Sequence, residues 1–124
     1  MTNETTLGKD QKLKIYGKVQ AQLSELHREI SLLSKSKPDN PINTFKLNFI
    51  NEMLGEANRI LESTDRPFAG FETFDETNLP TNSDVVLVLS QYVSCLERWF
   101  HINRPKSATD LLMESSFGSF SNDD

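Results

Sequence analysis

Apolar residues recur at alternating spacings of three and four along the first third of the chain. The seam consists of Tyr16, Val19, Leu23, Leu26, Ile30 and Leu33. It is a heptad pattern sustained for about two and a half heptads, which is shorter than a stand-alone coiled coil needs. Asp10 suits the N-cap, and Lys35 followed by Pro38 suits the end. The pattern predicts a helix over 10–36.

A second helical pattern follows the turn KPDNP (37–41). One stripe consists of Leu47, Ile50, Leu54, Ala57 and Leu61, and a parallel stripe consists of Phe45, Phe49, Met53 and Ile60. Two stripes make a wide apolar face, as expected of a helix with more than one neighbour. Asn40 can cap this helix with Pro41 in its first turn, and Asn43 is the alternative cap. The pattern predicts a helix over 42–64.

The third apolar segment starts with VVLVL (85–89), which alone would also fit a buried strand. The helical period continues beyond that run through Tyr92, Leu96, Trp99 and Ile102. A strand of this length would be far above the usual size of about 5–6 residues. Ser83 is a ready N-cap and Pro105 closes the segment. The pattern therefore predicts a helix over 84–103.

Three helices with wide apolar faces predict an all-α fold, a three-helix bundle spanning 10–105. Residues 1–9 are predicted to be a flexible N-terminus, and 106–124 a mobile acidic tail rich in Ser and Phe. The short first turn makes the first two helices antiparallel neighbours. The second connection is long enough to reach about 60 Å when extended, whereas a twenty-residue helix is about 30 Å long. The direction of the third helix is therefore left open.

The second connection, 65–82, contains three phenylalanines at every third position, in PFAGFETFDETNLPTNSD (67–84). We expect a packed crossover in which Phe68, Phe71 and Phe74 are largely buried while the acids between them face water. Phe71→Ala should then lower the free energy of unfolding by about 2–4 kcal/mol. A docking surface for a partner and a disordered segment are the alternatives.

The amino-acid composition indicates which partners and which cellular compartment to expect. The chain has 124 residues, 13 basic and 18 acidic, and a net charge of −5, which argues against general affinity for nucleic-acid phosphates. The single cysteine, Cys95, cannot form an internal disulfide, and the N-terminus lacks an apolar signal segment. No apolar run approaches the length of a membrane span. We therefore expect an intracellular protein, cytoplasmic or nuclear.

Catalytic motifs are absent from the sequence: it has no phosphate-binding glycine loop, H-E-x-x-H or C-x-x-C. Cys95 is predicted to be a small core thiol, and His27 and His101 have no shared motif. No metal or cofactor is predicted.

Two minority hypotheses stay open. Paired carboxylates, Glu25 with Glu29 and Glu52 with Glu56, could hold Mg²⁺ in an all-α nucleotide hydrolase, although their heptad positions favour a solvated face. A regulator could instead contact nucleic acid through the basic first helix, at Lys9, Lys12, Lys14 and Lys18.

The function favoured by these patterns is a non-enzymatic protein–protein interaction module, a small helical subunit or adaptor of a larger complex. Its partner is expected to be another protein, in a hetero-complex or a homo-oligomer through helix 1 or 2. The candidate binding residues fall on the seam, the crossover and the tail: Tyr16, Val19, Leu23, Leu26, Phe71, Phe74, Phe117 and Phe120. Exposed phenylalanines in an acidic tail can fill pockets on a partner.

Overall fold

A computed structural model describes residues 7–105 of the chain. Three α-helices pack against one another: α1 is Lys9–Ser36, α2 is Thr44–Ile60 and α3 is Asn82–Asn103. A short 3-10 helix, Ser63–Asp65, follows α2, and the described part of the chain contains no β-strand. The prediction of an all-α three-helix bundle is confirmed. The predicted flexible N-terminus and mobile tail fall largely outside the described residues.

Helix α1 begins one residue earlier than predicted, and its N-cap is Gly8 rather than Asp10. The backbone N–H of Gly8 donates to Oε1 of Gln11 at 3.0 Å, so a side chain from the first turn closes this end. Asp10 lies within the first turn, where an acidic side chain suits the helix dipole. The prediction of Asp10 as the N-cap was wrong, because the helix begins at Lys9 and the Gln11 side chain bonds the backbone of the N-cap residue, Gly8.

Helix α2 is shorter than predicted at both ends. Asn43 is the N-cap, its Oδ1 accepting from the N–H of Lys46 at 3.1 Å, so the alternative cap is confirmed and the Asn40–Pro41 start is wrong. At the other end the backbone leaves the helix at Leu61, whose side chain turns inward and is buried. Arg66 then caps the helix, donating to the carbonyls of Asn58 at 3.0 Å and Leu61 at 3.2 Å.

Helix α3 begins two residues earlier than predicted because Thr81, not Ser83, is its N-cap. Thr81 Oγ1 accepts from the N–H of Asp84 at 3.2 Å. VVLVL (85–89) lies within this helix, so the prediction of a helix is confirmed and the strand alternative is wrong. One side of this helix lies in the core, through Val85, Leu89, Tyr92, Leu96 and Trp99.

Backbone pairing between the first turn and the start of α3 fixes the direction of α3. Ile42 N–H donates to the Pro80 carbonyl and Asn82 N–H to the Asn40 carbonyl, both at 2.9 Å, forming an isolated bridge between Pro41 and Thr81. Helix α3 therefore starts at the same end as α2, runs parallel to it and is antiparallel to α1. Contacts at the opposite end agree, since Tyr16 stacks on Phe100 with ring centroids 4.4 Å apart.

The segment 61–81 consequently runs the length of the bundle as a crossover. Phe71, Phe74 and Leu79 pack against the core, and the acids Glu72, Asp75 and Glu76 are exposed, as expected for a packed crossover. Phe68, Phe71 and Phe74 are partly exposed, but most of the surface of each is covered even though the segment lies at the surface of the bundle. Gly70 has a φ of +77°, a conformation that favours glycine within this irregular backbone.

Two asparagines of α2 hold the crossover in place. Asn51 bonds the backbone of Phe74 twice, accepting from its N–H and donating to its carbonyl, each at 2.9 Å. Asn58 donates to the Glu72 carbonyl at 2.9 Å and accepts from the buried Tyr92 hydroxyl at 2.8 Å. Burial raises the pKa of Tyr92. The asparagines thus satisfy a backbone that has no ladder of its own.

Candidate interaction surface

The most exposed large apolar side chains near one another belong to α2. Phe45 is 80% exposed and Phe49, one turn later, is 39% exposed. Both lie beside the stripe that faces the core, so the helix has buried Leu47 and Ile50 and left its second stripe partly open. The outer face, as we call it, is the surface formed by this side of α2 and the adjoining side of α1. It contains two recesses between the helices.

The first recess has a volume of about 330 Å³ and lies towards the turn between the two helices. Phe45, Phe49 and Leu26 form its apolar walls. Glu25 and Glu29 of α1 line it as well, and Lys46 of α2 joins them. Leu32, 54% exposed, follows Glu29 by three residues, and this spacing places it on the same side of α1.

The second recess has a volume of about 380 Å³ and lies towards the other end of the same groove. Its floor is apolar and consists of Ile15, Val19 and Met53. Lys14 and Lys18 line it from α1, and Glu52 and Glu56 line it from α2. The two recesses therefore share apolar surface but carry different charges.

Two of the acids on the outer face have partners within their own helix. Arg28 donates to the carboxylate of Glu25, and this hydrogen bond holds the pKa of Glu25 below its usual value. Arg59 donates to Glu56 at 3.3 Å. Both pairs join residues three apart on an exposed surface, so each contributes little to stability.

The remaining exposed large apolar side chains in residues 7–105 lie elsewhere. Leu87 and Ile102, 56% and 70% exposed, belong to α3 and lie fifteen residues apart. Isolated exposed apolar residues are normal on a protein surface. What distinguishes the outer face is the combination of two phenylalanines with two adjoining recesses.

The seam residues predicted to bind a partner are used within the chain. Val19 and Leu23 are buried in the core, Leu26 is 9% exposed, and Tyr16 is half-buried against Trp99 and Phe100. Burial and the nearby Glu97 raise the pKa of Tyr16. The seam thus packs intramolecularly, although Leu26 also borders the first recess of the outer face and Val19 the second.

The other predicted partner residues are divided between two regions. Phe71 and Phe74 contact each other, with ring centroids 5.2 Å apart, and pack against the core. Phe117 and Phe120 lie outside the described residues, so their predicted role stays a prediction.

The four acids of the hydrolase hypothesis do not converge. Glu25 and Glu29 line the first recess, and Glu52 and Glu56 line the second. Within residues 7–105, no three His, Cys, Asp or Glu side chains are placed to hold a metal ion together. Cys95 is buried, as predicted for a core thiol.

The basic residues at the start of α1 do not form one exposed surface. Lys12 is only 7% exposed, and its Nζ bonds Oε2 of Glu62 at 2.8 Å. This bond holds the pKa of Glu62 below its usual value. Lys9, Lys14 and Lys18 remain exposed or partly exposed to solvent.

The sequence indicated helix 1 or 2 as the contact surface, but Phe45 and Phe49 were not among the predicted binding residues. Phe45 and Phe49 are four residues apart, displaced to one side of the stripe formed by Leu47, Ile50 and Leu54. The bundle buries Met53 and Ile60 of the second stripe and leaves Phe45 and Phe49 exposed. In the part of the chain that the structure describes, no helix is both long and apolar enough to cross a membrane. Comparison with protein-family models, with curated proteins and with solved structures found no significant match to this chain.

Proposed function

We propose that this protein is a non-enzymatic interaction module, a small helical subunit or adaptor of a larger intracellular complex. Its contact surface is the outer face of α1 and α2. The observation that carries the proposal is the 80% exposure of Phe45 at the wall of the first recess, which shares a groove with the second, apolar-floored recess. Covering a phenylalanine side chain is worth roughly 1.5–3 kcal/mol, which the isolated chain does not gain.

The composition of the outer face resembles that of a protein-binding surface. Aromatic residues are enriched in the centres of interfaces, and polar residues surround them. Here Phe45 and Phe49 provide the aromatic centre. Lysines and glutamates around the recesses provide the polar rim, which would set orientation and partner choice more than affinity.

The proposal is tested by comparing the size of the native assembly in its host for the full chain and for Phe45→Ser. The side chain of Phe45 has almost no role within the bundle, so the variant should fold normally. We expect Phe45→Ser to shift the protein from a larger assembly to a smaller one in sedimentation of the extract.

Leu87→Ser is the matched control, because it removes an exposed apolar side chain from α3. It should leave the assembly unchanged. An assembly that is unaffected by Phe45→Ser, or equally affected by both substitutions, contradicts the proposal.

A further inference from the structure

Four charged residues of α1 are arranged symmetrically about the middle of the helix. Lys14, Lys18, Glu25 and Glu29 are separated by four, seven and four residues. These spacings place all four on one side of a helix. All four are exposed, and all line the outer face.

The midpoint of this arrangement lies between Ala21 and Gln22. Lys18 and Glu25 lie about 5 Å from it on opposite sides, at a rise of about 1.5 Å per residue, and Lys14 and Glu29 lie about 11 Å from it. Every lysine therefore has a glutamate at the same distance in the other direction. A two-fold rotation about this midpoint exchanges positive with negative positions.

From this charge pattern, and resting on the proposed function, we infer that the outer face binds a second copy of this chain. The two α1 helices lie antiparallel across a two-fold axis that passes near Ala21 and Gln22. Lys14 then faces Glu29 of the second copy, and Lys18 faces Glu25 of the second copy. An interface of this kind is isologous, with the same patch used by both chains.

The same rotation brings the two different recesses together. The first recess is centred on residues 22–29 of α1 and the second on residues 14–19, on opposite sides of the midpoint. Phe45 and Phe49 of one copy therefore come over the recess floored by Ile15, Val19 and Met53 of the other. The apolar contact and the charge contact thus require one and the same axis.

The expected dimer is reversible rather than obligate. Exposed ion pairs are individually weak and are screened by salt, so the charges mainly select the register. Each copy already has a closed core and does not need the second copy to fold. The dimer should therefore weaken as salt concentration rises, and its population should follow protein concentration.

Charge exchange provides the test, with analytical ultracentrifugation of the purified full chain as the measurement. One variant is Lys14→Glu with Lys18→Glu, and the other is Glu25→Lys with Glu29→Lys. Each gives a stripe of a single sign, which repels its own copy, so each alone should dimerise at least tenfold more weakly than the parent. An equimolar mixture of the two should recover dimer, because their stripes are then complementary.

Lys35→Glu with Lys37→Glu is the control for Lys14→Glu with Lys18→Glu, since it makes the same change in net charge at exposed positions that do not line either recess. It should dimerise like the parent. Thermal melts of all variants will check that they fold, and recovery in the mixture could not arise from damaged monomers.

Three results would overturn the inference. The first is a parent chain that stays monomeric throughout the concentration series. The second is a mixture that does not recover dimer. The third is rescue of Lys14→Glu with Lys18→Glu by Glu52→Lys with Glu56→Lys instead, which would place α1 against α2 of the second copy.

Failure of this inference and failure of the proposed function are distinguishable. A monomeric purified chain whose native assembly still depends on Phe45 would overturn self-association and leave the interaction module in place. A native assembly indifferent to Phe45 would overturn the interaction module, while the charge exchange in the purified chain would still decide self-association.

Discussion

Phenylalanines lie along both flanks of α2, but on one flank they pack against the core and on the other they are exposed. On one flank the crossover lays Phe71 and Phe74 against the core, where most of the surface of each is covered. On the other flank, Phe45 remains 80% exposed beside the recesses of the outer face. The difference does not lie in the phenylalanines themselves, since both sets have helical or near-helical spacing.

The polar groups of α2 account for the difference. Asn51 and Asn58 face the crossover and bond its backbone at Phe74 and Glu72. An irregular segment can lie on a helix only where its N–H and carbonyl groups find partners. The outer flank presents Glu52 and Glu56 instead, which suit an approaching helix whose backbone bonds are already internal. Polar side chains thus decide which flank is closed within the chain.

The largest expected loss of stability comes from removing Asn58, which holds the crossover on its flank of α2. We call this the closed flank. Asn58→Leu leaves the buried Tyr92 hydroxyl and the Glu72 carbonyl without their partner. The buried hydroxyl costs about 1–3 kcal/mol when it is left unsatisfied, whereas the exposed Glu72 carbonyl can bond water, so the free energy of unfolding should fall by up to about 3 kcal/mol in urea titration. Asn48→Leu, at an exposed position on the same helix, should change it by less than about 0.5 kcal/mol. Equal losses would contradict the anchoring role.

Matched phenylalanine truncations compare the two flanks directly. Phe71→Ala should lower the free energy of unfolding by about 2 kcal/mol, the lower end of the sequence-based expectation, because part of the ring remains exposed. Phe45→Ala should change the stability of the monomer by less than about 0.5 kcal/mol. Chemical denaturation at low protein concentration measures both. A Phe71→Ala protein as stable as the parent would mean that the crossover contributes no packing.

Replacing each of two glycines by alanine should change the stability of the protein in opposite directions. Gly70→Ala forces a side chain into a backbone with φ of +77°, so it should cost about 1 kcal/mol in the closed flank. Gly17 is exposed within α1 and an added Cβ would meet no atom within 4 Å, so Gly17→Ala should stabilise by up to about 1 kcal/mol. Thermal melts of the two variants check the signs. Stabilisation by Gly70→Ala would rule out this backbone conformation.

Acid should weaken the contact between α1 and the end of α2. The pKa of Glu62 is lower in the folded state because Lys12 bonds it. Its contribution is therefore complete at neutral pH and is lost as pH falls through that lowered pKa. The effect is the smallest of the set, since Glu62 is largely exposed. The stability difference between the parent and Glu62→Gln should disappear at low pH, and a constant difference would contradict the linkage.

Local signals predicted the helices well where they were strong. The seam and Pro38 placed α1 within one residue. The end of α2 was placed four residues too late, because its stop depends on Leu61 turning into the core and on Arg66 reaching back to the carbonyls. The start of α3 was placed two residues too late, because Thr81 is positioned by pairing with a distant turn.

The site was harder to predict than the fold for a related reason. The heptad seam indicated apolar surface correctly, but the sequence could not reveal that α3 would cover it. The parallel orientation of α2 and α3 is accompanied by several hydrogen bonds between the first turn and the start of α3, which join residues far apart in the chain. Once that orientation is known, the crossover must occupy one flank of α2, and the outer face is what remains.

The bridge between Pro41 and Thr81 also divides the chain in an unexpected way. The segment 42–80, which contains α2 and the crossover, begins and ends at this bridge. Helices α1 and α3 therefore form an antiparallel helical hairpin, and the segment 42–80 is an insertion in the connection between them. Segments whose ends meet can be lengthened, exchanged or transplanted with little entropic penalty, since closure cost grows slowly with length. The segment that carries Phe45 and Phe49 should therefore be exchangeable for another whose helix supplies the same core residues, with the hairpin of α1 and α3 kept.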